Sequence, residues 1–425
     1  MSNLKAAPHA AAPGLLDKKT AAFVFLTFAA AYSLSALVRA IIATLSPVLS
    51  GEFALQSRDL GLLAGGYFLG FAAMQLPLGS WLDKHGPKRV ILCFLAVAVL
   101  GCLVFSVASN FAGLLAGRVL IGMGVSACLM APLTGFRRWL DAASLLRANS
   151  WMLMSGSLGM LASTLPVQWL LPQLGWRAMF WVLAAMLTIA IVVMMKAVPT
   201  WQPNLAAPAD PLTTKTTAAA AGYADVWASR YFQKLSPLAF FNYGGLVAIQ
   251  TLWAGPWMIK VSGYTPLEAA TGLFYINGLM LVTFWGWGLV GPRLAKSGWP
   301  TDRLMTWGVP LSLLILAANV WGGRATGWPG WAAFCVASTV ISLSQPAVGL
   351  AFKPALVGRA LSGFNLVIFS GVFTVQWGIG LLVDAFAALG LTAVASFQAA
   401  FSVFLCCGVA GYAYFLYVKV DNPEA

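Results

Sequence analysis

The chain has 425 residues, 60% of them hydrophobic and only 9% charged, with 18 Trp and 26 Phe; a soluble domain keeps roughly a quarter of its residues charged, so that class is excluded. The formal net charge of +13 does not indicate a nucleic-acid partner, because no soluble domain gathers the bases into a patch or interleaves them with exposed aromatics. The six cysteines, Cys93, Cys102, Cys128, Cys335, Cys406 and Cys407, lie in apolar runs without the paired spacing of a zinc or redox site, and read as buried structural thiols.

Residues 1–20 lack a compact apolar core, and the run after them is too long for a cleaved signal, so they read as a cytoplasmic tail. Apolar stretches of roughly 20 residues, each able to cross a ~30 Å hydrocarbon core as a helix, then recur along the chain. Nothing alternates like barrel strands, and helices satisfy their own backbone in lipid. Spans are expected near 21–47, 60–82, 90–109, 111–135, 148–172 and 177–198, within a half covering 21–198. Residues 199–235, with Pro, Thr, Ala and scattered charge, read as a cytoplasmic linker. Six more spans follow near 236–260, 267–292, 303–322, 328–352, 358–383 and 390–418, a second half over 236–418, before a short tail at 419–425.

Lys and Arg divide unevenly between the two sides. One side holds both tails and the loops bearing Lys84, Lys88, Arg89, Arg137, Arg138, Arg147, Lys196, Arg293, Lys353 and Arg359; the other holds only Arg58, Arg177, Lys260 and Arg324. Cytoplasmic loops carry the excess of bases, so both termini are expected in the cytoplasm, and the charge itself is mostly a topology signal with a secondary attraction to anionic lipid. The halves also repeat weakly. Gly79 to Lys84 stands between spans two and three, and Gly288 to Arg293 between spans eight and nine, keeping a glycine and a base but placing Pro292 where the acid would be. Six spans, a linker and six spans is a layout of parallel repeats.

One loop concentrates charge: Gly79-Ser-Trp-Leu82-Asp83-Lys84-His85-Gly86-Pro87-Lys88-Arg89. It resembles the loop 2–3 signature of the major facilitator superfamily, G-x-x-x-D-[RK]-x-G-[RK]-[RK], with Pro87 where the first base after the glycine is expected. Arg118 followed by Gly122 and Gly124 is similar to that superfamily's second motif, and Gly175-Trp176-Arg177 opens span six in a matching way. The resemblance covers nearly the whole chain and implies an all-α membrane protein of twelve transmembrane helices in two pseudo-symmetric halves. It also implies a secondary transporter that rocks about a midplane site, with Gly79, Asp83, Lys84, Gly86, Lys88 and Arg89 as a conformational latch made on the cytoplasmic side when that side is closed. Small residues such as Gly79 let helices approach, and Gly86 permits a turn other residues resist. Asp83 can pair with Lys84, Lys88 or Arg89, or accept from a helix N-terminus of the other half. The bases alone would also enforce topology.

Charge inside a span costs about 2.5–3.5 kcal/mol on the insertion scale, so ionisable residues there mark function. Arg39 and Arg118 are the bases well inside spans, while the acids fall in loops, termini or helix ends, Asp384 lying near an outer end. Tyr32, Ser35 and Arg39, three and then four apart, share a helical face. The stretch from Ala31 to Arg39 is similar to the first helix of the superfamily's organophosphate and organic-anion branch, where an arginine meets the substrate's charge. Span seven, around Asn242, Tyr243, Gln250 and Trp253, has no matching arginine, so one arginine holding a carboxylate is expected rather than a two-arginine phosphate clamp. Arg39 could instead cap carbonyls or snorkel. Arg118 either touches substrate or braces the bundle. Asn242, Gln250, Asn277, Asn365 and Gln376 read as cavity groups or as interhelical glue, and Tyr67, Tyr243, Trp253 and Trp257 as site walls or packing.

No embedded carboxylate offers a proton-coupling group, which leaves a substrate carboxylate, Asp384 or exchange to carry any coupling. Span five lacks the Gly-Pro-x-x-Gly-Gly run associated with drug–proton antiporters, which tilts the reading to uptake. Met152, Met154 and Met160 could suggest copper import, but no His or Cys joins them, and methionine packing explains them. No phosphate loop, Ser-His-Asp set or carboxylate pair suggests an enzyme, and neither metal nor cofactor is expected. The expectation is a monomeric transporter in a bacterial inner membrane, moving a small organic anion with or without a coupling ion. Drug or sugar efflux is the alternative, and a non-transporting receptor the alternative of another class.

Overall fold

The computed structural model describes residues 15–200, 222–297 and 299–420. Both tails, apart from residues at their inner ends, and most of the expected linker lie outside them. Among the described residues there are helices and turns but no strand. The first half consists of α1 (Lys18–Phe53), α2 (Ser57–Ala73), α3 (Gln75–Ser106), α4 (Phe111–Val125), α5 (Ala127–Trp139), α6 (Ala142–Ala162) and α7 (Leu165–Ala197). Within the segment read as linker, α8 (Tyr223–Ala228) and α9 (Arg230–Leu238) are already helical. From there π turns at Ala239–Tyr243 and Ile249–Trp253 flank α10 (Gly244–Ala248), and α11 (Ala254–Lys260) completes the seventh span. The rest is α12 (Pro266–Lys296), α13 (Thr301–Gly322), α14 (Trp328–Ser338), α15 (Ser344–Ala351), α16 (Pro354–Ala388) and α17 (Ala393–Tyr417), with 3-10 turns at Gly323–Ala325 and Thr339–Leu343.

A helical segment thus lies over each expected span, and among the described residues nine helical stretches are long and apolar enough to cross a membrane, α4 with α5 and α14 with α15 each forming one. Two long runs conceal reversals. Gly86 (φ 74°, ψ 163°) divides α3, and Gly175 (φ 71°, ψ 159°) divides α7. A Cβ is strongly disfavoured in that region of backbone space, so glycine allows these tight turns between spans two and three and between five and six. The outer surface stays apolar: Trp181 is 52% exposed, Ile189 62%, Trp307 69% and Trp321 75%. Water would penalise such a surface, and lipid does not. Cys93 and Cys406 share that exposure, so the expectation of buried thiols holds for Cys102, Cys128 and Cys335 but not for them.

The halves meet along α2 and α16, along α1 and α11 with its preceding π turn, and along α6 and α12. Backbones touch at the end away from the termini. A Cβ on Gly61 would lie 2.4 Å from the Gln376 carbonyl oxygen, and one on Gly380 2.4 Å from that of Ser57. Within the first half, a Cβ on Gly122 would sit 1.9 Å from the Tyr67 carbonyl oxygen, and one on Gly124 2.2 Å from Ala98 N. The glycines after Arg118 therefore let α4 reach the backbones of α2 and α3, as small residues do where lipid supplies no hydrophobic drive.

Candidate functional site

Charge inside the bundle lies on α1 and α4, where they face α2. Arg118 is 0% exposed. Its Nη1 donates to Val38 O at 2.7 Å, and its Nε and Nη2 make longer bonds of 3.4 Å to Leu63 O and Arg39 O. Its guanidinium also stands 5.0 Å from the Tyr67 ring centroid. Carbonyls and a ring face occupy this cation, the bracing arrangement among the two roles open to it.

Arg39 differs. It is half-buried, and its Nε is sealed from solvent without a hydrogen-bond partner, as are Ser35 Oγ and Tyr67 Oη. The three groups lie near one another, with the Tyr32 hydroxyl beside the guanidinium, but without the geometry of mutual hydrogen bonds. Tyr243, on the first π turn of the seventh span, comes within electrostatic reach of both Tyr32 and Arg39, so the other half contributes. No carboxylate forms an ion pair with Arg39 among the described residues. The shared face of Tyr32, Ser35 and Arg39, with Tyr67 and Tyr243, is thus one cluster.

The remaining site candidates scatter over the second half. Asn242 donates to Gly408 O on α17 at 3.2 Å. Gln250 donates to Asn277 Oδ1 at 2.8 Å, and Asn277 in turn to Leu273 O. Trp253 is fully buried and donates to Gln376 O at 3.0 Å, while Gln376 Nε2 donates to Thr251 Oγ1 at 2.9 Å and its Oε1 has no partner. Asn365 accepts from Gln345. In this structure Asn242, Trp253, Asn277 and Asn365 therefore tie helices of their own half together. Two participants escaped the sequence reading. Cys128 lies beside Ser35 and Arg39. Gly156 seats the Tyr32 ring, since a Cβ there would lie 2.5 Å from Tyr32 Cε1. Gly156 and Gly159, three residues apart in span five, are a local signal that could have found the first, and nothing local singles out Cys128.

At the termini end, Gly79 faces Ser362, with 3.8 Å between a built Cβ and its Oγ. Lys88 donates to Met195 O at 2.7 Å, answering a carbonyl at the end of α7. Asp83, Lys84 and Arg89 are exposed. Asp83 makes none of the pairings expected of it among the described residues, neither with Lys84, Lys88 or Arg89 nor with a helix of the other half. At the opposite end Glu52 accepts from Trp176 Nε1 at 2.7 Å and Arg177 Nη1 at 2.6 Å, so Trp176 and Arg177 fasten the turn at Gly175 to α1.

A sequence model of the Major Facilitator Superfamily matches residues 28–374. Curated relatives include a Cupriavidus necator protein named "Probable sulfoacetate transporter", 26% identical over 36% of this chain and 36% of its own. A multidrug resistance protein of Escherichia coli is 27% identical over 35% of this chain and 37% of its own. This chain thus spans about a third of the length of the curated relatives it matches. Among solved structures, an inward-facing, unoccupied bacterial homolog of the human lysosomal transporter Spinster superposes with a TM-score of 0.77 at 16% identity, over 94% of this chain and 97% of that one. A D-xylose–proton symporter does so with 0.75 at 14% identity, over 95% and 99%.

Proposed function

The chain belongs to the Major Facilitator Superfamily, and from that premise we propose that it is a secondary transporter taking up a small organic anion by alternating access, with Arg39 as the charge partner. The observation that carries this reading is the set of unpartnered buried groups Ser35 Oγ, Arg39 Nε and Tyr67 Oη. Each can donate, and a buried donor left unpaired costs about 1–3 kcal/mol. An anion supplies the missing acceptors and neutralises the charge in one event. A sugar would leave the guanidinium unmatched, and a cationic dye would be repelled by it.

Arg118 spends its donors on carbonyls, so one free guanidinium remains. That favours a singly charged head group, a carboxylate or sulfonate, over a phosphate dianion. The name of the Cupriavidus necator relative points the same way. Drug efflux is the competing reading, supported by the names of the multidrug relatives. We place both termini in the cytoplasm of a bacterial inner membrane from the distribution of bases, and substrate and lipid are the partners of a monomer.

Proteoliposomes presented from outside with a panel of carboxylates, sulfonates, sugars and cationic dyes test this reading. Uptake of a monoanion is expected, abolished in Arg39→Ala and at least tenfold weaker in Arg39→Lys, whose ammonium lacks the fork geometry. Dye movement without anion movement, or an Arg39→Ala protein that transports as well as the parent, would overturn it.

A further inference from the structure

The reading above requires the halves to part at the end away from the termini, and the sequence motifs place no latch there. We infer that Asp384 is that latch, a carboxylate of the second half that caps the first turn of α2 in the first half while this end is closed. Asp384 stands half-buried near the end of α16. Its Oδ1 accepts from Ser57 N at 3.1 Å and its Oδ2 from Arg58 N at 2.8 Å. These are the first residues of α2, whose amides have no acceptor within the helix and sit at the positive end of its dipole.

The bond is not a salt bridge that a mobile side chain could carry along as the halves move. The Arg58 guanidinium approaches Asp59 instead, at 3.8 Å, while Asp59 accepts from Gln56 N at 3.0 Å. Asp384 is held by rigid backbone donors, so the contact exists only while α2 and α16 are in register. Gly61 and Gly380 enforce that register, each with the opposing backbone where its Cβ would be. At the termini end the contacts between halves are looser. Gly79 only approaches Ser362, and Tyr223 Oη donates to Leu76 O at 3.5 Å.

The second span, α2 continued by the first turns of α3, and α16 thus carry an acid at opposite ends, Asp83 on the first half and Asp384 on the second. In this structure the second is bonded, and the first is exposed with no partner among the described residues. If the halves rock as rigid bodies, as the proposed function has it, the two acids engage in alternation. The case for Asp384 rests on that reading only for the direction of motion.

The test uses the full chain in lipid nanodiscs with Cys93, Cys406 and Cys407 replaced, spin labels at Ser109 and Leu389 reporting the far end, and labels at Arg137 and Gly358 reporting the other. Asp384→Asn is expected to raise the ratio of far-end-open to far-end-closed molecules about tenfold, the worth of a charge-assisted pair of bonds. Ser57→Pro removes one of the donors without disturbing the fold, because proline is accepted at the first helical position. It should shift the ratio the same way, and add nothing in the Asp384→Asn background. Asp83→Asn should shift it oppositely. Unchanged distances in Asp384→Asn, or equal and additive effects of Ser57→Pro with and without Asp384, would overturn the latch. Anion uptake, read in parallel, separates this result from the fate of the substrate reading: distances that shift without uptake fault the substrate alone, and uptake without shifting distances faults the latch alone.

Discussion

Two arginines lie within apolar spans, and their surroundings differ in a way that predicts a division of work. Arg118 is fully buried and answered by the carbonyls of Val38, Leu63 and Arg39. Replacing it with alanine removes charge-assisted bonds and leaves a cavity, so Arg118→Ala should lose on the order of 3 kcal/mol of stability, seen as a lowered thermal midpoint in detergent. Arg39→Ala should change stability by less than about 1 kcal/mol on the same readout, because no ion pair is broken. Equal effects from the two substitutions would refute the division. Tyr67 sharpens the point, since its hydroxyl is buried without a partner. Tyr67→Phe removes an unsatisfied group, so the empty protein should hold or gain stability while anion affinity falls about tenfold. A binding isotherm unchanged by Tyr67→Phe would remove that hydroxyl from the site. The pairing of Arg39 with Tyr32 and Ser35 was legible from helical spacing, whereas Tyr67 and Tyr243 join from other spans and carry no local mark of it.

At the scale of elements, glycine sets where the chain turns and how closely helices approach. Gly86 and Gly175 take backbone angles closed to other residues, and the first was visible as part of the charged loop. Gly122 faces the Tyr67 carbonyl with no room for a methyl group, whereas Gly288, its half's counterpart of Gly79 in the sequence repeat, faces open space. Gly122→Ala should therefore destabilise by about 2 kcal/mol or more through overpacking, and Gly288→Ala should be neutral or stabilising. Thermal midpoints of the two variants decide it; a tolerated Gly122→Ala would contradict the packing. The seventh span shows what periodicity misses. Its two π turns add residues to the helical repeat, so Tyr243 reaches toward Arg39 while Asn242 is fixed to α17. Hydropathy averages over a whole span and does not register a change of one residue in winding.

For the whole molecule, the bases predict an orientation and the contacts between halves describe a state. If the termini face the cytoplasm, an impermeant maleimide added outside intact cells should label a single cysteine at Arg324 and spare one at Lys84, both exposed positions. The reverse pattern would invert the topology. With Asp384 bonded across the far end and Asp83 unpaired among the described residues, substrate should reach the Arg39 cluster from the side of the termini. Labelling of a cysteine at Tyr243, a half-buried member of the same cluster, by a small reagent from that side, slowed by the transported anion, would follow; labelling only from the opposite side would contradict it.

Hydropathy, turn glycines and the placement of Lys and Arg are properties of short stretches of chain, and by themselves they determined an all-helical membrane protein, where its spans run and which loop is tightly turned. They also marked Arg39 and Arg118 as costly and therefore as candidates for function. Which of the two is free, and what holds the far end closed, was decided only by the fold. Arg118 meets carbonyls some eighty residues upstream, and Asp384 meets amides 327 and 326 residues away. A charge in a membrane is defined by what answers it, and the answering groups here are backbone atoms brought close by glycines on neighbouring helices. Backbone donors and acceptors are the same at every residue, so no pattern of side chains announces them before the helices pack.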